Sequence, residues 1–480
     1  MIFGLSLITW LKRDIINILD EKTGYISSTE LTQLIGYASH STIKKACKEL
    51  QDDIRKTYSI DQVELDINKH HGMKLIRHTM NMQLLMEQII STELVYDILQ
   101  AILYNRRFST IVFCQTYHIS ESQLRRKIKE LNSYLNAFNL HITVSNEIKI
   151  TGEEYTIRTF HFIFLFLCHK QFSKIFWITN KEMYLNTSKK IANYLGLEIW
   201  NNQLEILSIS LFVNQNAIDK NKLINSYKDP VTIDCIDVPE RPDFMSNWPA
   251  ADWKFMLVSL YSADFFNFNF KVDLRKLQKI QPPNNTLRWI ELFEIHFIKL
   301  DETQKTFIYE KFLKQVISTS IFELDEILIS FFHSIDIKAL QKLYPLYMQK
   351  FEIFWEEFSA NNNKFVTDHF KIESLLTCIY IAPFNLFFQK IKIFIFSDLT
   401  YLYTNYIKER IHTYFLNHYE IIFTNIFHDA DIIIGTIDFL SGTLKKDQEF
   451  IMISVIISIN DLRKIDNTIK KFLKNKLYLQ

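Results

Sequence analysis

Twice in this chain, apolar residues change from helical to strand spacing within a few dozen positions, each time after a short polar turn. Few folds accommodate that switch. The clearer copy runs from Phe108 to Arg158. Ile111, Val112 and Phe113 are expected to form the apolar face of a short helix, with Tyr117-His118-Ile119 as the turn. Ser120 suits an N-cap, because its hydroxyl can accept a free N–H of the next turn. From there Leu124, Ile128, Leu131 and Leu135 repeat at helical spacing and face a core. Ser122, Gln123, Arg125, Arg126 and Lys129 fall outside that stripe. A helix with one buried face and one face of donors can meet base edges and phosphates in a major groove. A β-wing is expected after it.

The earlier copy spans Ser27 to Ile54. Leu31, Leu34 and Ile35 are expected to pack its supporting helix, and Gly36 to turn the chain sharply afterwards. The second helix begins near Ser39. It is expected to bury Ile43, Cys47 and Leu50 and to expose His40, Ser41, Thr42, Lys44, Lys45 and Lys48. Val63 to Ile67 alternates at strand period, His70-His71-Gly72 marks a turn, and Lys74 to Arg77 returns, which reads as a two-stranded wing. Either unit alone could be an ordinary helical hairpin with a solvated charged face. Two units, each with a wing, point instead to a DNA-binding regulator.

Charge supports this only locally. Lys+Arg 55 against Asp+Glu 54 gives a formal net charge of +1, so no strong long-range field is expected. Between Tyr104 and Glu130, however, Arg106, Arg107, Arg125, Arg126, Lys127 and Lys129 outnumber Glu121 and Glu130. A patch of that kind favours salt-sensitive binding of moderate affinity.

At 480 residues the chain exceeds one core, and about three to five domains are expected. Only 8 Gly and 8 Pro predict a chain dominated by long helices. There is no GxGxxG, GxxxxGK[ST] or GxSxG, so the common phosphate-cradling and nucleophile-elbow motifs are missing. Five separated cysteines (Cys47, Cys114, Cys168, Cys235 and Cys378) form no CxxC pair. Reduced core thiols in the cytosol are expected, with no metal site and no cofactor. The opening MIFGLSLITWLKRDI reads as a helix rather than a signal peptide, and Phe160 to Cys168 is too short to span a membrane.

Beyond Arg158 helical stripes recur, as in Tyr184, Ile191, Tyr194 and Leu195, then Leu204, Leu207, Leu211 and Phe212. A loop is expected from Val231 to Phe244, and a linker at Gln281-Pro282-Pro283-Asn284-Asn285. A second helical block follows from Leu287 to about Ala382, with a stripe of Trp289, Leu292, Phe293, His296 and Phe297. From about Phe388 strands alternate with helices: Lys392–Phe396, Tyr401–Asn417, Glu420–Thr424, Asp431–Gly435, Phe450–Ile457 and Leu462–Leu477. That order predicts a small α/β sandwich with a largely parallel sheet, whose first ligand-facing loop is Ser397-Asp398-Leu399-Thr400.

In this order of modules, and above all in ISESQLRRKIKELNSYLNAFNLHI followed by IKITGEEYTIRTF, the chain resembles the Mga/AtxA-like virulence regulators of Gram-positive bacteria. The resemblance implies a multidomain, mainly α protein. Its expected parts are a winged helix-turn-helix at 1–80, a second, Mga-like one at 81–165, five-helix regulation domains at 166–283 and 284–386, and an α/β domain similar to sugar-transporter IIB components at 387–480. It also implies control by the phosphotransferase system through histidines. The candidates are His161, His169, His296, His333 and His369, although Phe212 stands where the pattern suggests a histidine. The first IIB-like loop carries Ser397 where a cysteine is usual, and no cysteine follows Cys378. The expected function is a cytoplasmic transcriptional regulator, not an enzyme. Its expected partners are double-stranded DNA, further copies of itself as a homodimer or higher oligomer, and phosphocarrier proteins. A scaffold that does not bind DNA, or a phosphocarrier-type protein of sugar transport, is the alternative.

Overall fold

Three serines set the first three helices. Ser6, Ser27 and Ser39 sit in extended backbone, and their side chains accept hydrogen bonds from the N–H groups of Thr9, Glu30 and Thr42. They open α1 (Leu7–Glu21), α2 (Ser28–Ile35) and α3 (His40–Thr57). The computed structural model describes residues 4–225, 233–268, 270–273, 284–321, 335, 337–360, 367–416, 418–438, 444–445 and 448–477. Within these lie eighteen α-helices and eleven strands. The chain divides into two units, residues 1–283 with 309–334, and residues 284–308 with 335–480.

In the first unit Gly36 ends α2 at φ 75°, the left-handed conformation that its position called for. β1 (Val63–Asn68) and β2 (Gly72–Arg77) then form an antiparallel hairpin, Val63 opposite Arg77. Ile26 and Met73 exchange backbone hydrogen bonds of 2.8 and 2.9 Å, which fasten the hairpin to the start of α2. Gly72 makes this possible: its φ is 101°, and a Cβ there would overlap the Ile26 carbonyl. Leu31, Ile43, Cys47, Leu50, Val63 and Leu65 close the core. Leu34 does not join them; it is 51% exposed. An eight-residue helix has one narrow inner face, and Leu31 occupies it.

The following segment holds α4 (Gln83–Ser91), α5 (Leu94–Asn105), β3 (Arg107–Ser109), α6 (Thr110–Thr116), α7 (Glu121–Leu135), β4 (His141–Val144), β5 (Glu147–Thr151) and α8 (Glu154–His169). The strands form an antiparallel sheet in the order β3-β5-β4. Leu124, Ile128, Leu131 and Leu135 are buried as their spacing predicts. Ile111 and Val112 are not, at 67% and 59% exposed; of the three apolar residues there, Phe113 alone turns inward. The core runs on through α8 to Ile209, Phe212 and Val213. Residue 165, the expected domain end, lies inside that helix.

α9 (Lys181–Tyr194), α10 (Asn201–Asp219) and α11 (Ala250–Ser262) complete the first helical block. Tyr194, expected in its stripe, is 45% exposed. Within the expected loop before α11, β6 (Ile236–Asp237) pairs with β7 (Lys271–Val272).

The second unit contains α12 (Asn284–His296), part of α13 (Glu302–Ile321), α14 (Ile337–Leu343), α15 (Pro345–Ser359) and α16 (Asp368–Ile381). Gln281-Pro282-Pro283 lies outside the described residues, and Asn284 and Asn285 begin α12 instead of forming a turn. Trp289, Phe293, Phe351, Phe354 and Phe358 are buried against one another. Then come β8 (Lys390–Phe396), α17 (Tyr401–Phe415), β9 (Glu420–Phe423), β10 (Ile432–Gly435), β11 (Glu449–Met452) and α18 (Ile459–Leu477). The four strands are parallel throughout, in the order β11-β10-β8-β9. The strands and helices follow the order read from the sequence, with ends displaced by a few residues.

Candidate nucleic-acid interface

The α7 helix is fixed at its first turn. The Gln123 N–H donates to Ser120 Oγ at 3.2 Å, and the Ser120 N–H donates to Gln123 Oε1 at 2.9 Å. This reciprocal cap satisfies two donors at the helix end. It also commits the Gln123 carbonyl, so that side chain has its amide N–H groups left to offer. Ser122 Oγ lies 2.9 Å from Ser120 Oγ.

Arg125 faces the wing. Its Nε and Nη2 donate to Glu121 Oε1 at 2.8 and 2.5 Å, and its Nη1 donates to the carbonyl of Val144 on β4 at 3.1 Å. Such an exposed pair adds little stability, but it holds the guanidinium between helix and sheet. Arg126 and Lys129 are exposed and have no hydrogen-bond or ion-pair partner among the described residues. Lys127 bonds Glu130 at 3.1 Å and is largely covered. Of the candidate residues on α7, Arg126 and Lys129 therefore present the uncommitted positive charge.

On α3, Ser41 and Thr42 hydroxyls lie 2.9 and 2.8 Å from Ser39 Oγ, and His40 Nε2 lies 2.8 Å from Ser28 Oγ. Lys44 and Lys48 are exposed without partners among the described residues, while Lys45 lies 3.9 Å from Glu49. Asp53 is engaged by Lys12 at 2.8 Å.

The basic patch is smaller than the sequence implied. Arg106 is 6% exposed, and its Nη2 donates to Glu154 Oε1 at 2.6 Å. From Glu154 a buried chain of charge continues. Arg158 donates to Glu154 Oε1 at 3.0 Å, to Asn214 Oδ1 at 2.9 Å and to Asp252 Oδ1 at 2.5 Å. Burial pushes the Glu154 carboxyl up, and the two guanidinium groups oppose that shift. The sequence signal was an acid four residues before a base in an otherwise apolar helix. Sequence reasoning also missed Lys149, which faces Arg107 directly across β5 and β3, both exposed.

The candidate histidines fall into different surroundings. His161 is 1% exposed, and burial together with nearby Arg106 holds its ring well below the usual histidine range. His169 is buried, with Nδ1 2.6 Å from Glu87 Oε1 and Nε2 2.7 Å from the Tyr96 hydroxyl. His296 and His369 are half-buried, and His296 Nε2 lies 3.2 Å from Glu357 Oε2. His333 lies outside the described residues.

In the α/β domain, Ser397 Oγ accepts the Leu399 N–H at 3.0 Å, and Thr436 Oγ1 lies 3.2 Å from Ser397 Oγ and 3.1 Å from Asp398 Oδ1, either of which can take its one proton. The loops after β8 and β10 are thus joined where the strand order reverses. Among the described residues no helix is long and apolar enough to cross a membrane, and no three acidic, histidine or cysteine side chains gather as a metal site would require.

Residues 78–166 match the family model of the Mga helix-turn-helix domain. That span covers α4 to most of α8 and contains both α7 and its sheet. No curated protein matches the chain.

Proposed function

We propose that this chain, which carries a Mga helix-turn-helix domain, is a DNA-binding transcriptional regulator in which α7 enters the major groove and α3 supplies a second contact. The single observation that carries this is a capped, sheet-braced helix whose Arg126 and Lys129 point outward without partners among the described residues. Arg125 then acts as the brace between helix and wing, and Ser122 and Gln123 offer the shorter-range hydrogen bonds. On α3, Lys44, Lys45 and Lys48 meet phosphates beside Ser41 and Thr42.

Replacing Arg126 and Lys129 together with alanine tests this in a gel-shift titration over a range of salt. The slope of log affinity against log salt should fall by about 2, since each neutralised phosphate contributes about 0.9. Wild-type affinity with an unchanged slope would sink the assignment.

The further parts of the reading concern assembly and control. Self-association is assigned to the α/β domain. Tyr401, Leu402, Ile426 and Ile456 are 80%, 77%, 59% and 86% exposed and follow β8, β9 and β11 at the carboxyl end of the sheet. Apolar side chains gathered in this way mark an interaction surface more often than bare solvent. The resemblance to phosphotransferase-regulated proteins adds phosphorylation by a phosphocarrier. His369 is the better acceptor on grounds of access, because His161 and His169 are enclosed by protein and the Nε2 of His296 is buried beside Glu357. A role in virulence or carbon metabolism follows from the same resemblance.

A further inference from the structure

Two helices of the first unit belong to two cores at once. The body of α1 places Leu11, Ile15 and Leu19 in the core with α2 and α3. The residues that lead into it go elsewhere. Leu5 is buried with α5 and α7, and a Cβ built at Gly4 would already touch Val95, Leu131 and Tyr134 at 3.5 to 3.7 Å. α4 makes the return connection. Its Leu85 and Ile89 lie in the first core, while its Glu87 bonds His169 of α8 at 2.6 Å.

One carboxylate closes the joint. Glu93, at the start of α5, receives three donors from the start of α1 on a single oxygen. The Ser6 and Thr9 hydroxyls lie 2.5 Å from its Oε1, and the Ser6 N–H lies at 3.4 Å. Thr9 is 3% exposed, so its hydroxyl has little water to turn to. Hydrogen bonds to a charged acceptor at a half-buried site are the stronger kind.

We propose that the two helix–hairpin units read DNA as one rigid body, with Glu93 as the positioning residue that locks α1 onto α5. The distance between the contacts of α3 and α7 is then a property of the protein, and it selects the spacing of the two DNA elements. This rests on the DNA-binding reading above. A tandem joined by a flexible linker would tolerate many spacings, because a linker supplies only effective concentration. A rigid pair tolerates few.

The test has two arms. Spin labels at Lys48→Cys and Lys129→Cys, in a Cys114→Ser background because the other four cysteines are buried, report the distance without DNA. A single narrow distribution is expected. Glu93→Ala should broaden it, Glu93→Gln, which keeps an acceptor, should not, and Leu5→Ala added to Glu93→Ala should broaden it further. In the second arm, a duplex selected by the full chain from random sequence receives a central insertion of about 5 base pairs, half a helical turn. Wild-type affinity should drop more than about tenfold, and that of Leu5→Ala/Glu93→Ala less than about threefold, the difference between fixed and flexible spacing. A broad wild-type distance overturns the clamp by itself. A distance unmoved by the double variant, or binding indifferent to the insertion, overturns Glu93 as the source of spacing. A narrow distance with no duplex bound faults the DNA reading instead.

Discussion

Arg158 shows what a single side chain decides here. Its guanidinium is fully buried and joins α8 to α10 and α11 through Asn214 and Asp252. Removing one partner of a buried ion pair strands the other charge, at a cost of about 3–5 kcal/mol. Arg158→Ala should therefore lower the unfolding free energy of the first unit, read from a urea titration, by that order, and adding Asp252→Asn should recover part of the loss. His161 gives a pH dependence with a definite sign. The folded protein keeps the ring neutral to well below its ordinary value of 6.5, whereas the unfolded chain protonates near it. The stability from that burial is present above pH 6.5 and is lost as pH falls below it. Melting temperatures measured from pH 7.5 to about 5 should decline, and His161→Gln should flatten the decline.

At the scale of elements, the sequence was legible where periodicity had room to repeat. Four apolar residues across α7 identify its inner face, and the alternation of Val63 to Ile67 identifies β1. Short helices were less readable. In α2 and α6, the apolar character of Leu34, Ile111 and Val112 predicts core positions, yet a helix of seven or eight residues buries one or two side chains. Tertiary partners were not legible at all. Arg106 reads as surface charge until Glu154, 48 residues later, folds over it. Arg125 reads as a free donor until β4 presents the Val144 carbonyl. The outer faces of α3 and α7 are exposed, but which of their donors are already spent depends on those distant contacts.

For the whole molecule, the α/β domain is where assembly is expected to reside. Deleting residues 387–480 should lower the oligomeric state in light scattering and weaken DNA binding, while the first unit keeps its fold. Linked contacts raise effective affinity, so losing the link should lower affinity more than it changes sequence preference. A truncated chain that keeps its oligomeric state and affinity would refute that role. The scarcity of glycine has a different reach. Among the described residues seven non-glycine positions hold positive φ, including Arg106, His118, Asn139 and Lys170. A side chain in that conformation costs roughly 1–2 kcal/mol, most of which glycine escapes. Lys170→Gly and His118→Gly should each raise the melting temperature measured by calorimetry. With only 8 glycines to place, the chain fills its tightest corners with residues that pay for the conformation, and it melts below the temperature its own architecture would allow.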